Sequence, residues 1–145
     1  YRPVAEERAI QLSVGDLAPV RVLGDAGRIR QVLGNLLDNA MKYTPENGHV
    51  FVGLSQENGH AKLSIRDDGM GIGLEDLPRI FDRFFRTDRA RSVVDGVGSG
   101  LGLSICRSII EAHGGTVAVE SDLATGTLFS IRLSVHADVD SDAGP

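Results

Sequence analysis

The stretch over residues 25–43 constrains the fold more than any other part of the chain, because its apolar residues recur three and four positions apart. That spacing places a single apolar stripe along an α-helix. The stripe consists of Ile29, Val32, Leu33, Leu36, Leu37, Ala40 and Met41. The sequence therefore predicts an amphipathic helix that starts at an Asp25 N-cap, stops at Pro45 and Gly48, and buries one face against a second layer.

The polar side of this predicted helix carries a second, narrower line of amides and bases without a carboxylate. At about 100° per residue, this line contains Arg28, Gln31, Asn35, Asn39 and Lys42. A solvated helix face usually mixes Lys with Glu, so we interpret the line as one wall of a site for a phosphate-bearing ligand. Asparagines that satisfy backbone groups, together with an ordinary surface lysine, are the alternative explanation.

The composition favours a single globular domain. The chain has 145 residues, 41% of them apolar, and a net charge of −5, which argues against a disordered segment and against a nucleic-acid binder. Its one cysteine, Cys106, excludes an internal disulfide and fits a reducing compartment. The sequence has no signal-peptide pattern and no apolar run of the roughly 18 residues that a membrane span needs. We expect a cytosolic piece of a longer protein, since Tyr1 is not a methionine.

The remaining periodicities predict the other helices and strands. Further helices are predicted at residues 4–12, 75–86 and 101–113, and strands at residues 20–23, 50–54, 61–65, 117–119 and 129–135. Asn58-Gly59 between two alternating runs is a strong hairpin signal. Residues 87–100 are polar and glycine-rich, which predicts a mobile lid, since a loop of this length is usually functional or disordered.

This order of elements predicts an α/β fold. We expect a two-layer sandwich with helices packed on one face of a mixed, largely antiparallel sheet. One domain should cover residues 1–136, followed by an acidic, disordered tail over residues 137–145.

A glycine-rich segment, Gly98-Ser99-Gly100-Leu101-Gly102, lies where the predicted lid turns into a helix. Glycines allow close backbone approach, and the unpaired N–H groups of a helix start attract phosphates. A flexible loop that ends in a helix explains the same residues equally well. The chain lacks both the P-loop pattern and the Rossmann spacing, so a phosphate site here would be of another kind.

Asp67 ends a predicted strand and is followed by glycines at positions 69, 71 and 73. An ionised carboxylate only accepts hydrogen bonds, so it suits the exocyclic amine of adenine and would repel the carbonyl of guanine. An Asp-Gly turn that closes the strand is the alternative. A zinc site is unsupported because the histidines are scattered and no second cysteine is present.

Taken together and in order, these motifs resemble the catalytic ATP-binding domain of bacterial sensor histidine kinases, within the superfamily shared with gyrase, Hsp90 and MutL. Residues 35–45 are similar to the N box, Asp67-x-Gly69-x-Gly71-Ile72 to the G1 box, residues 81–86 to the F box, and Gly98-x-Gly100-Leu101-Gly102-Leu103 to the G2 box. Gly126-Thr127-x-Phe129 resembles the closing Gly-Thr-x-Phe motif. The match spans nearly the whole chain.

The resemblance implies a Bergerat-type fold that binds ATP and Mg²⁺ between the helices and the lid. By motif position, Asn39 would hold magnesium, Asn35 and Lys42 would lie near the phosphates, Tyr43 beside the nucleotide, and Asp67 at the adenine amine with support from Thr127. Gly69, Gly71, Ile72, Phe85, Gly98, Gly100, Leu101, Gly102 and Leu103 would complete the nucleotide site. Arg86 would position the γ-phosphoryl group, so Asn35 and Arg86 are the expected catalytic residues.

The chain departs from the family at the phosphoacceptor. In such kinases a histidine in a His-Glu/Asp-x-Arg-Thr-Pro-like box accepts the phosphate, and none of the four histidines here has those neighbours. We therefore expect a chain that binds ATP and cannot autophosphorylate alone. The acceptor would lie on a dimerisation domain preceding Tyr1 in the full-length protein. A response regulator would act downstream in a two-component phosphorelay.

The resemblance also implies a cellular setting and leaves two other functions open. We expect a monomeric fragment that forms the cytoplasmic domain of an inner-membrane signal-transduction protein. One alternative is an anti-sigma-factor serine kinase, against which the F-box pattern argues. Another is a non-catalytic, ATP-dependent interaction module, against which the intact Asn39, Asp67 and G2 glycines argue.

Overall fold

The computed structural model describes residues 2–17, 22–82 and 102–135 of the chain. Its helices are α1 (Arg2–Glu7), α2 (Ala26–Tyr43) and α3 (Gly102–Ala112). Its strands are β1 (Gln11–Leu17), β2 (His49–Glu57), β3 (His60–Asp67), β4 (Thr116–Asp122) and β5 (Gly126–Ser134). A single 3₁₀ turn occupies Leu77–Arg79 in this part of the chain.

Within the described residues, the five strands form one sheet in the order β1-β2-β3-β5-β4. β1 runs parallel to β2, and the remaining neighbours are antiparallel. The parallel pair is possible because α2 lies in the connection between β1 and β2. Asn58 and Gly59 take φ angles of 51° and 81° and close the β2–β3 hairpin, as Asn-Gly predicts. The predicted mixed, largely antiparallel sheet is confirmed.

The helices cover one face of this sheet, which also confirms the predicted two layers. On that face, Val52, Ile65, Phe129 and Val119 lie in register across four strands, and the next row holds Leu54, Leu63, Ile131 and Val117. Val32, Leu36, Ala40 and Met41 of α2 are buried against the core, as the apolar stripe predicts. The N-cap is also confirmed, because Asp25 Oδ1 accepts a hydrogen bond from the backbone N–H of Arg28 at 3.1 Å.

At one end of the core face, the rows of apolar side chains change to polar ones. Val50, Asp67, Thr127 and Ser121 lie in register across β2, β3, β5 and β4. We call Asp67, Thr127 and Ser121 the polar row. Because directly opposed residues of adjacent strands project from the same face, the three side chains meet at this end of the core.

The structure corrects the predicted beginning of the chain. Residues 11–17 form β1, where the sequence predicted a helix to residue 12 and a break from Gly15. The helix ends early, at Glu7, and Ala9 takes a φ of 54°. Pairing with β2 and packing of Leu12 against the core are long-range interactions that override weak local preferences. Of the strand predicted at residues 20–23, Val22 and Leu23 are irregular, and residues 20 and 21 lie outside the described residues.

The helix predicted at residues 75–86 is wrong over its described part. Only Leu77–Arg79 form a 3₁₀ turn, and residues 83–86 lie outside the described residues. Pro78 has no N–H and disfavours a helical conformation at Leu77, the residue before it, so a regular helix is interrupted at this point. The prediction at residues 101–113 is confirmed to within one residue as α3, with Leu101 outside the described part.

No helix within residues 2–17, 22–82 and 102–135 is both long enough and apolar enough to cross a membrane.

The imidazole ring of His113 links the end of α3 to the start of α2 through two hydrogen bonds. Its Nδ1 lies 2.7 Å from the carbonyl oxygen of Ile109, and its Nε2 lies 3.0 Å from the backbone nitrogen of Asp25. A carbonyl only accepts and a backbone N–H only donates, so the imidazole carries its proton on Nδ1 and accepts at Nε2.

We expect His113→Ala to lower the free energy of unfolding by about 1 to 2 kcal/mol, because the Asp25 N–H loses its acceptor. His60 is the matched control, since its exposed ring contacts the carbonyl oxygen of Asn58, only two residues away. His60→Ala should change stability by less than about 0.5 kcal/mol. Denaturant titrations measure both variants. Equal losses of unfolding free energy would show that the hydrogen bond between His113 and Asp25 does not stabilise the fold.

Candidate functional site

Asp67 is the buried acid of the candidate site. It ends β3, and only 7% of its surface is exposed. Its Oδ1 accepts a hydrogen bond from the backbone N–H of Gly69 at 2.9 Å. Burial raises the pKa of the Asp67 carboxyl above its ordinary value, against the backbone N–H groups of Gly69 and Thr127, which lower it. The strand thus ends in a desolvated hydrogen-bond acceptor held by backbone donors.

This pKa shift predicts a pH dependence of folding. The pKa of Asp67 is higher in the folded state than in the unfolded state, where it has its ordinary value of 3.8. The protonated carboxyl therefore contributes to the free energy of unfolding below pH 3.8, and this contribution is lost as pH rises through the raised pKa. Asp67→Asn does not titrate. The free energy of unfolding of Asp67→Asn, relative to that of the wild type, should therefore increase as pH rises from 3.8 through the raised pKa. Chemical unfolding of both proteins from about pH 3 to about pH 7 measures the difference, and a constant difference would contradict the shift.

Ser121 joins three segments at the other end of the polar row. Its Oγ lies 2.8 Å from the backbone nitrogen of Ile72, 2.8 Å from the carbonyl oxygen of Gly126 and 2.8 Å from Oγ1 of Thr127. Thr127 is buried, with 7% of its surface exposed. The hydroxyl of Ser121 therefore connects the glycine-rich segment after β3 to both strands of the β4–β5 hairpin.

Two of the glycines after Asp67, Gly69 and Gly71, lie against other backbone. A Cβ at Gly69 would collide with the carbonyl oxygen of Tyr43, and one at Gly71 would collide with that of Asp122. Gly71 also has a φ of 72°, which side chains rarely adopt. The N–H of Met70 donates to the Tyr43 carbonyl at 3.3 Å. The segment is thus held between the end of α2 and the β4–β5 turn.

Asn35 links α2 to the start of α3. Its Nδ2 donates to the carbonyl oxygen of Gly102 at 3.3 Å. Burial raises the pKa of the neighbouring Cys106 thiol to about 11, against the Asn35 side chain, which lowers it. The structure therefore places Asn35, which we expect near the phosphates, in contact with Gly102, the last glycine of the G2-like motif.

Asn39, Lys42 and Tyr43 follow Asn35 along α2, and all three are half-buried. No group of three or more His, Cys, Asp or Glu residues in the described ranges could hold a metal ion. A single amide such as Asn39 fits Mg²⁺ only where phosphates and water supply most ligands, which is the usual magnesium arrangement. The donor set therefore suits a metal that arrives with a polyphosphate.

Several expected site residues lie outside the part of the chain that the structure describes. These are Phe85, Arg86, Gly98, Gly100 and Leu101, together with the whole predicted lid. Of the flanking motifs, Phe81 packs edge-on against Phe129, with ring centroids 6.3 Å apart. At the start of α3, Gly102 is exposed and Leu103 packs against the core.

Ser121 is the site residue that the sequence analysis missed. Residues 121–126 look like a turn, yet β4 continues to Asp122. The signal was the alternation of Val117, Val119 and Ser121, which places all three on the core face. A serine that continues an apolar face at the end of a strand is a candidate for a buried hydrogen-bond role.

Comparison with known proteins gives one family. The model of the histidine kinase-, DNA gyrase B- and HSP90-like ATPases matches residues 24–137. The sensor histidine kinase CusS of Escherichia coli strain K12 is 43% identical over 134 residues, which cover 92% of this chain and 27% of CusS. The chain thus spans about a quarter of that relative's length.

Two solved structures of histidine kinases are similar to this chain. The mycobacterial sensor histidine kinase MprB superimposes with a TM-score of 0.79 at 35% identity, covering 93% of this chain and 89% of that one. Full-length ShkA in complex with AMPPNP superimposes with a TM-score of 0.78 at 34% identity, covering 93% of this chain and 28% of that one. The five-stranded sheet with helices on one face is the fold of these neighbours.

Proposed function

Since the chain belongs to the histidine kinase-, DNA gyrase B- and HSP90-like ATPases, we propose that it is the catalytic domain of a sensor histidine kinase. In this role it binds Mg-ATP and donates the γ-phosphoryl group to a histidine of a dimerisation domain. The observation that carries the proposal is the buried Asp67 acceptor, 7% exposed, at the end of an apolar core face.

The adenine base would lie against the polar row. An ionised Asp67 accepts from the exocyclic amine, and its backbone donors Gly69 and Thr127 hold the carboxylate in place. Gly69 and Gly71 pack closely against the backbone of Tyr43 and Asp122, which holds the segment beside the acid in place. The carboxylate favours adenine over guanine, whose 6-oxo group would face it.

The phosphates would lie between α2 and the start of α3. The bond from Asn35 to Gly102 fixes the distance between the two helices there. Half-buried Lys42 adds a positive charge on α2, and Asn39 would contribute an amide oxygen to the metal. Mg²⁺ bound with ATP would neutralise charge on the phosphates, and transfer of a phosphoryl group depends mainly on such positioning and charge stabilisation.

The remaining parts of the proposal concern other domains and residues of this chain outside the described ranges. The acceptor histidine belongs to a dimerisation domain of the same full-length protein, and a response regulator takes the phosphate from it. Arg86, with Phe85 and the glycines at 98 and 100, would complete the site from the lid side. In this proposal the ATP-binding domain would work on the cytoplasmic side of a membrane-bound sensor and would end at residue 136.

Phosphotransfer between separate domains tests the proposal. The chain is mixed with a sensor-kinase dimerisation domain and γ-labelled ATP, and acid-labile label is expected on the acceptor histidine. The same dimerisation domain with its acceptor histidine changed to glutamine is the matched control and should stay unlabelled. Label on the isolated chain, or serine labelling of an anti-anti-sigma partner, would contradict the proposal. Tight ATP binding without any transfer would support the interaction-module alternative instead.

A further inference from the structure

The hydroxyl of Ser121 has three polar neighbours at 2.8 Å, which is as many as a hydroxyl can serve. Two of them have fixed roles. The Ile72 backbone N–H can only donate, and the Gly126 carbonyl can only accept. Ser121 therefore accepts from Ile72 and gives its single proton to Gly126.

This assignment settles the third contact. With its proton committed to Gly126, Ser121 has only a lone pair to offer Thr127, so the Thr127 hydroxyl must be the donor in the 2.8 Å contact. The Thr127 proton is then directed at Ser121 and away from any ligand. Its two lone pairs are the only hydrogen-bonding capacity that Thr127 retains for a nucleotide.

Thr127 is also the direct cross-strand partner of Asp67. Directly opposed side chains share one face and lie within a few ångströms of each other. With the Thr127 proton turned toward Ser121, both side chains present only acceptors to whatever lies against them. Such a surface accepts hydrogen bonds from an amine and offers none to a carbonyl.

We propose that Ser121 is a specificity-determining positioning residue, which orients the Thr127 hydroxyl so that the base subsite presents acceptors alone. The inference rests on the proposed function, since it assumes an adenine base at Asp67. Ser121 acts through Thr127 and does not itself need to touch the ligand. Its removal frees the Thr127 proton to donate to Asp67 or to a 6-oxo group on the base.

The test compares ATP with inosine triphosphate, whose base carries a 6-oxo group and an N1–H in place of the 6-amine and unprotonated N1 of adenine. Calorimetric titration of the wild type should show a clear preference for ATP. In Ser121→Ala, the ratio of the two affinities should fall by about tenfold, the effect of one misdirected hydrogen bond. Ser64→Ala is the matched control, because it removes a half-buried hydroxyl from the opposite face of the sheet, and it should leave the ratio unchanged.

A second comparison, in a protein that lacks the Thr127 hydroxyl, shows whether Ser121 acts by orienting that hydroxyl or only by supporting the fold. In Thr127→Val, which lacks the hydroxyl, adding Ser121→Ala should leave the ATP to inosine triphosphate ratio unchanged. If Ser121→Ala does not fold, the isosteric pair Ser121→Thr and Ser121→Val suits a β-strand and carries the same comparison. The threonine variant should keep the wild-type ratio, and the valine variant should lose it.

The outcomes for the two proposals are distinct. A wild type that prefers ATP while Ser121→Ala and Ser121→Val keep the same preference would overturn the role of Ser121 alone. An equal fall of the ratio with and without the Thr127 hydroxyl would also overturn it, because the effect would then be structural. A wild type that binds neither nucleotide would overturn the proposed function itself.

Discussion

Replacing Asp67 by asparagine should weaken ATP binding by about 1.5 to 3 kcal/mol, which is roughly a 10- to 150-fold rise in Kd. Asparagine keeps the shape of the side chain and replaces an oxygen acceptor by an N–H₂ donor. That donor would face the amine of adenine or the N–H of Gly69, which the carboxylate accepts from at 2.9 Å. Calorimetric titration with Mg-ATP measures the change.

Asp68→Asn is the matched control for this prediction. Asp68 is the next residue, exposed at the surface, where its carboxylate binds the backbone N–H and ring of His49 at 2.7 and 3.1 Å. The same chemical change there should shift the Kd by less than about threefold. Unchanged ATP affinity in Asp67→Asn, or an equal loss in the two variants, would remove Asp67 from the site.

Gly71→Ala should lower the free energy of unfolding by about 2 to 5 kcal/mol. Two costs combine at this position. The backbone φ of 72° disfavours any side chain, and the new Cβ would collide with the carbonyl oxygen of Asp122. The collision would also displace the neighbouring Ile72 N–H from Ser121, which now accepts it at 2.8 Å.

Gly59 offers a control that isolates the collision. Its φ of 81° is similar, but a Cβ there would meet nothing within 4 Å. Gly59→Ala should therefore cost only the backbone term, about 1 to 2 kcal/mol. Thermal or denaturant unfolding of both variants gives the comparison. Equal destabilisation of Gly71→Ala and Gly59→Ala would mean that the backbone at Gly71 can move to accommodate a methyl group. The close contact with Asp122 would then not contribute.

The features that were predictable from the sequence depend on local order. The apolar stripe of α2 needs only helical periodicity, and its buried members are those the spacing indicates. Asn58-Gly59 fixes the β2–β3 turn through residues that tolerate positive φ. Asp67 stood out because a carboxylate ended an apolar alternation, and the register then placed it in the polar row.

The features that were not predictable depend on distant partners. β1 contains Gly15 and Asp16, which are uncommon in strands. Its pairing with β2, through residues almost 40 positions away, decides its conformation. The contact from Asn35 to Gly102 and the contact from Ser121 to Ile72 join segments that the sequence separates widely. Hydrogen bonds of this kind have no local pattern, so only the folded chain reveals them. The predicted roles of Phe85, Arg86 and the glycines at 98 and 100 stay predictions.

The most direct test of the account follows backbone amide resonances of the chain during titration with Mg-ATP. We predict saturable shifts at Gly69, Ile72 and Thr127 around the base subsite and at Gly102 at the start of α3. Ser64, on the opposite face of the sheet, should not shift. Absence of a saturable response, or shifts centred on the face that carries Ser64, would contradict ATP binding between the polar row and the helices.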